Sequence, residues 1–224
     1  MVKMMKKVSR GAIPTSLRQN AAVWTKELLN EIAKVGLYTK VEDRYKDRYK
    51  QRDVQKALEQ MYFGKCCYCE QMIGAESYEQ IEHLRPKSNP KFHDLTFEWN
   101  NLHWCCQRCN TAKGKLWDEK YPIIDPTIDN PNEHLYLNLV NGEIEHYDLR
   151  GKTTISHAKL NRENLLKARK RTLRKLNELE LTVKRTQAKE DDVQLINMLN
   201  IYVEDEEEFS SLISQYIRKM QEDL

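Results

Sequence analysis

Two short runs hold every cysteine of the chain. KCCYCEQ carries Cys66, Cys67 and Cys69, and NLHWCCQRCNTAKGK carries Cys105, Cys106 and Cys109. Cys66 with Cys69 and Cys106 with Cys109 each make a CxxC, with residues 70–105 between them. A CxxC turn presents two thiolates from one tight loop, and two such turns supply the four soft corners that tetrahedral Zn2+ requires. The spacing therefore predicts one structural four-cysteine zinc site, closed to chemistry of its own. Cys67 and Cys105 are spare, and Cys105 could replace Cys106 in a CxxxC arrangement, so the assignment within each run is open.

The loop between the two turns reads IEHLRPKSNP, in which Glu82 and His83 are adjacent and Arg85, Pro86 and Lys87 follow. Adjacent residues on a strand face opposite ways, but at a strand end both can reach one place. A carboxylate is a hard ligand for Mg2+, and an imidazole with a pKa near ~6.5 takes a proton from water at neutral pH. Phosphodiester hydrolysis needs both.

These groups must be positioned by the elements around them. From Leu17 to Val35 apolar residues recur at helical spacing up to Gly36, and VEDRYKDRYKQRDVQKALEQMYFG reads as helical as far as Gly64. Residues 65–156 differ, holding all the cysteines, five of the six histidines and all prolines but one. Within them HLYLNLVNGEIEHYDL alternates apolar and polar residues on both sides of Asn141 and Gly142, a hairpin signal. Leu165, Ala168, Thr172, Leu176, Leu179 and Val183 then mark a long basic helix from Asn161 to Lys189. An acidic run, EDEEE, precedes the short amphipathic FSSLISQYIRKM.

The formal charge is only +3, yet it is sorted: residues 1–64 and 162–189 are basic, and 190–224 are acidic. Basic blocks of this kind suit an anionic partner. No stretch approaches the ~20 apolar residues of a membrane span, and the basic start has no apolar signal core. A cytoplasmic, reducing location is expected, where clustered cysteines hold metal. RGKTT at 150–154 lacks the first glycine of a phosphate loop, so ATP binding by that route is not expected. Asp125, before Pro126, reads as turn chemistry.

The order of motifs resembles the HNH, or ββα-metal, nucleases: CxxC at 66–69, Glu82-His83 with Pro86, Asn101-Leu102, CxxC at 106–109, Asn110, then Lys113-Gly114. Glu82 stands where the broad pattern has Asp. The resemblance implies His83 as general base, Glu82 and Asn110 as ligands of a catalytic Mg2+ or Mn2+, and Asn101 as the residue fixing the loop around the base. EHLRPK, FEWNNL, CQRCNTAKG and YPIIDPTIDNPNEHLYLN are similar to the HNH component of Septu and retron-associated antiphage systems, the PtuB family, over residues 60–140. That implies an ABC-type ATPase partner, PtuA-like.

The resulting expectation is a mainly α chain with a small zinc-stapled ββα core and a β-hairpin. Residues 1–60 form a helical arm, 61–156 the nuclease core and 157–224 a C-terminal helical region. Lys87, Lys113 and Lys115 are expected to touch substrate phosphates. The substrate is nucleic acid, DNA before RNA. Two alternatives stand beside this reading: the same nuclease acting on structured RNA such as tRNA, and a zinc module that binds nucleic acid without cutting it.

Overall fold

The computed structural model describes residues 5–74, 78–185 and 207–222, with Leu199. Most of its regular structure is helical, and two small antiparallel hairpins complete it.

Helix α1 (Thr15–Val35) follows Pro14 and stops at Gly36, whose φ of 78° lets its N–H turn back to the Ile32 carbonyl at 2.8 Å. Its first turn is tied to a later helix: Ser16 donates from its amide and hydroxyl to Asp53, at 2.9 and 2.7 Å. The helical run expected up to Gly64 is broken into α2 (Asp43–Lys46) and α3 (Arg52–Met61). The break has a physical reason. Tyr49 is turned inward, 4% exposed, and a residue packed there cannot keep the phase of a surface helix.

Strands β1 (Glu79–His83) and β2 (Leu102–Cys106) pair antiparallel, with Glu82 opposite His103 and His83 opposite Leu102. β2 is buried throughout and runs directly into α4 (Gln107–Lys113). The second hairpin, β3 (Leu135–Leu137) and β4 (Ile144–His146), forms where the alternation placed it. Its connection spans residues 138–143 and closes with the Asn138 amide on the Glu143 carbonyl at 2.8 Å.

Helix α5 (Leu149–His157) begins at Asp148, whose carboxylate accepts the Gly151 amide at 2.8 Å. The RGKTT run lies in this helix. Asp125 accepts the amide and hydroxyl of Thr127 at 2.8 and 2.6 Å, which is turn chemistry. The long basic helix is α6 (Glu163–Arg185), and residues 186–189 of the expected span lie outside the described residues. The amphipathic end is α7 (Ser210–Glu222), while residues 204–206 of the acidic run also lie outside them. Buried side chains from all three stretches of the chain, including Leu28, Leu102 and Ile213, belong to one continuous core.

Candidate functional site

β1, β2 and α4 bring the two cysteine turns together. The sulfurs of Cys66, Cys69, Cys106 and Cys109 are buried and all lie within 4.8 Å of one another. Cys69 and Cys106 are 3.9 Å apart. A tetrahedral ion with bonds of about 2.3 Å holds its sulfurs about 3.8 Å apart, so the four thiols can hold a metal ion and fit zinc. Mutual hydrogen bonds push the Cys66 and Cys106 thiols down, toward the thiolate a metal binds, and the Cys69 thiol up, and Cys109 is also raised. Cys105 lies 3.7 Å from Cys66 and, with Cys67, forms a second group of three around it. Among the described residues that group has no fourth ligand, whereas the CxxC pairs make a set of four.

A residue that spacing did not single out completes this centre. Arg162, just before α6, donates to Cys109 Sγ at 3.3 Å and to Cys69 Sγ at 3.9 Å. Burial works against its charge, yet Cys109 and Cys69 raise its pKa overall. Four thiolates around Zn2+ carry net negative charge, and a guanidinium beside them offsets it. Nothing local in the sequence marks Arg162, because its role depends on where α6 packs.

At the end of β1, His83 is 6% exposed and its Nε2 lies 2.9 Å from the Thr96 carbonyl oxygen. A carbonyl only accepts, so Nε2 carries the hydrogen and the lone pair of the neutral ring sits on Nδ1. The edge of Tyr49 meets the His83 ring with centroids 4.6 Å apart, and this contact lies in the break between α2 and α3. Burial, helped by the charge of Lys87, pushes the His83 pKa down to about 3. The ring is neutral across the physiological range.

Asn101 is 1% exposed. Its Oδ1 accepts the Arg85 amide at 2.8 Å, and its Nδ2 donates to the carbonyls of Arg85 and Leu95 at 3.0 and 3.1 Å. Residue 101 thus clamps both ends of the loop that supplies Thr96.

Glu82 is 2% exposed, and burial raises its pKa to about 7 against the opposing effect of Lys113. Its Oε1 is 2.5 Å from Lys113 Nζ but has no hydrogen-bond geometry there. Asn110 lies one helical turn before Lys113, and its amide is 3.5 Å from Gln80 Oε1. Gln80 and Glu82 share a face of β1, so α4 lays Asn110 and Lys113 along that face. An orphaned carboxylate oxygen already facing a cation suits a metal ligand, and an ion reaching it would take the place of Lys113.

The expected phosphate contacts separate. Lys113 is fully buried and its ammonium also donates to the His83 carbonyl at 2.9 Å, so in this arrangement it meets no substrate. It faces inward because helical phase sets it beneath Asn110. Lys87 is held by Tyr49 Oη at 2.6 Å and Asp47 at 3.2 Å, and Lys115 is exposed beyond the end of α4.

No protein-family model matches the sequence. Two curated proteins are similar to it, each described as "Septu protein PtuB". One, from Bacillus thuringiensis, is 39% identical over 109 residues, covering 48% of this chain and 41% of that protein. The other, from Bacillus mycoides (strain KBAB4), is 34% identical over 161 residues, covering 58% of this chain and 54% of that protein. This chain is a relative of both. It spans about half the length of these relatives. Among the described residues no helix is long and apolar enough to cross a membrane.

Proposed function

We propose that the chain is a metal-dependent endonuclease that hydrolyses nucleic-acid phosphodiester bonds, DNA before RNA, as a component of Septu-type antiphage defence. The defence role rests on the two similar PtuB proteins, and the partner we assign to it is an ABC-type ATPase like PtuA. The observation that carries the hydrolytic reading is the fixed tautomer of His83: with Nε2–H spent on Thr96, Nδ1 is the proton acceptor. Asn101 and Tyr49 keep that ring from rotating away.

Glu82 and Asn110 would hold Mg2+ or Mn2+, which when bound offsets charge on the phosphoryl oxygens. His83 Nδ1 takes a proton from water as the water oxygen bonds to phosphorus. The bond from phosphorus to the 3′ oxygen breaks, and that oxygen takes a proton from solvent. The products are a 5′ phosphate and a 3′ hydroxyl. Lys115 and the exposed basic faces steer the substrate without reading bases.

A second reading, a zinc module that binds nucleic acid without cutting it, is favoured by the burial of Glu82 and the low basicity of His83. Plasmid DNA and total RNA, incubated with the chain and with its His83→Ala variant, each with and without the ATPase, separate the two. The nuclease reading expects cleavage by the parent, none by the variant, and equal zinc in both. Undiminished cleavage by His83→Ala overturns the mechanism. Binding without cleavage by the parent in every combination selects the second reading.

A further inference from the structure

Between the second cysteine turn and α6 lies a cavity of about 270 Å3, unconnected with the reading of Glu82 and His83. Its wall carries Arg108 from α4, Arg162, and Arg171 and Lys175 from α6. Ala168 and Phe209 line its apolar part. One carboxylate reaches it, Glu208, and that group accepts the Met72 amide at 2.8 Å. Arg162 is committed to the sulfurs of Cys109 and Cys69. Among the described residues, Arg108, Arg171 and Lys175 form no ion pair with a carboxylate.

This grouping costs free energy as it stands. Arg171 and Lys175 are four apart on one helix, where like charges repel, and Arg108 adds a third charge from the opposite wall. A concave wall focuses their field, and an anion seated there would remove the repulsion. Guanidinium groups match phosphate in geometry, two N–H donors to two oxygens, and three cations around one cavity are balanced by several phosphate charges where one carboxylate would supply a single charge.

The cavity is also separate from the candidate catalytic residues. Arg108 precedes Asn110 by two positions, about 200° around the helix, so it opens on the side of α4 away from Glu82. We propose that this cavity is a binding site for clustered phosphates, of the size of a di- or triphosphate. The same chemistry is offered by a free nucleotide and by a stretch of nucleic-acid backbone.

Titration of the zinc-loaded full chain with inorganic tripolyphosphate tests it. Two double variants remove equal charge from exposed positions of α6: Arg171→Gln with Lys175→Gln inside the cavity, and Lys170→Gln with Arg174→Gln outside it. The site expects saturable binding by the parent and the outer variant, and binding weakened by about tenfold or more in the inner variant. His83→Ala should bind as the parent does, so failure of the nuclease reading leaves this result intact. No saturable binding, or equal weakening in both double variants, overturns the proposal. In a competition arm, displacement of tripolyphosphate by ATP ahead of a short oligonucleotide supports the site with a nucleotide as ligand. The reverse order supports it with nucleic-acid backbone, and displacement by neither overturns it.

Discussion

Glu82 is a carboxylate with almost no water around it, and Lys113 makes that tolerable. The CxxC turns were legible because their chemistry depends on short intervals that a chain displays directly. Lys113 was not, since its position follows from the phase of α4 against β1. The open choice among six thiols can be settled at this scale. Cys69→Ser or Cys109→Ser should leave the protein without stoichiometric zinc and largely insoluble, because structural zinc contributes roughly 10–16 kcal/mol in small sites. Cys67→Ser should keep one zinc per chain. Metal analysis of the purified variants checks both, and a zinc-free Cys67→Ser would move the ligand set to the other group of thiols.

Among the elements, α1 and the β3–β4 hairpin were readable from periodicity and punctuation, Gly36 and Asn141-Gly142. The interruption at residues 47–51 was not, because burying Tyr49 against His83 is a tertiary effect that overrides a helical pattern. Gly151 in α5 is a packing residue of the same kind: a β-carbon there would collide with the His134 carbonyl. Gly151→Ala should therefore destabilise the protein by about 1–3 kcal/mol, read as a lower urea midpoint, although alanine is the better helix former.

Next to Gly151, Arg150 makes a two-pronged contact with Asp129, Nη1 to Oδ1 at 3.0 Å and Nη2 to Oδ2 at 2.5 Å. Burial alone would raise the Asp129 pKa, but the hydrogen bonds from Arg150 and the Asp125 amide, with the charge of Arg150, together outweigh it and the net shift is downward. A carboxylate held below its unfolded value near 3.8 contributes stability that is complete above that pH and is lost as pH falls through the folded value. Arg150→Met should cost stability at pH 7 and progressively less as the pH falls below 3.8, a convergence that a pH series of urea melts would reveal.

For the whole molecule, an amphipathic last helix can lay its apolar stripe in a partner's groove or on the chain itself. The structure assigns it to the chain. Leu212, Ile213, Tyr216, Ile217 and Met220 are buried, Tyr216 bonds Asn177 and Glu180 of α6, and Gln215 donates to the Leu137 carbonyl at 2.7 Å. Removing residues 207–224 should thus lower the thermal midpoint before it reports on any ATPase contact. An unchanged melting temperature in the truncated chain would return that stripe to the surface. Charge sorting was visible in the sequence, but which faces meet is a property of packing that no local pattern encodes.

Glu70, directly after the first cysteine turn, joins distant parts of the chain. Its carboxylate accepts the Lys6 amide at 2.7 Å and the Ser211 hydroxyl at 2.6 Å, and neighbouring Lys65 reaches the Glu207 carbonyl at 3.0 Å. The turn carrying Cys66 and Cys69 is therefore sealed from both directions by segments 64 and 141 positions away in the chain. Such seams open by fraying, at a fraction of the free energy of global unfolding. The lifetime of a metal held by the four thiols, and the rate at which a chelator would strip it, would then be set by how often either seam comes loose, so that anything gripping residues 5–10 or α7 would govern metal loss from a distance.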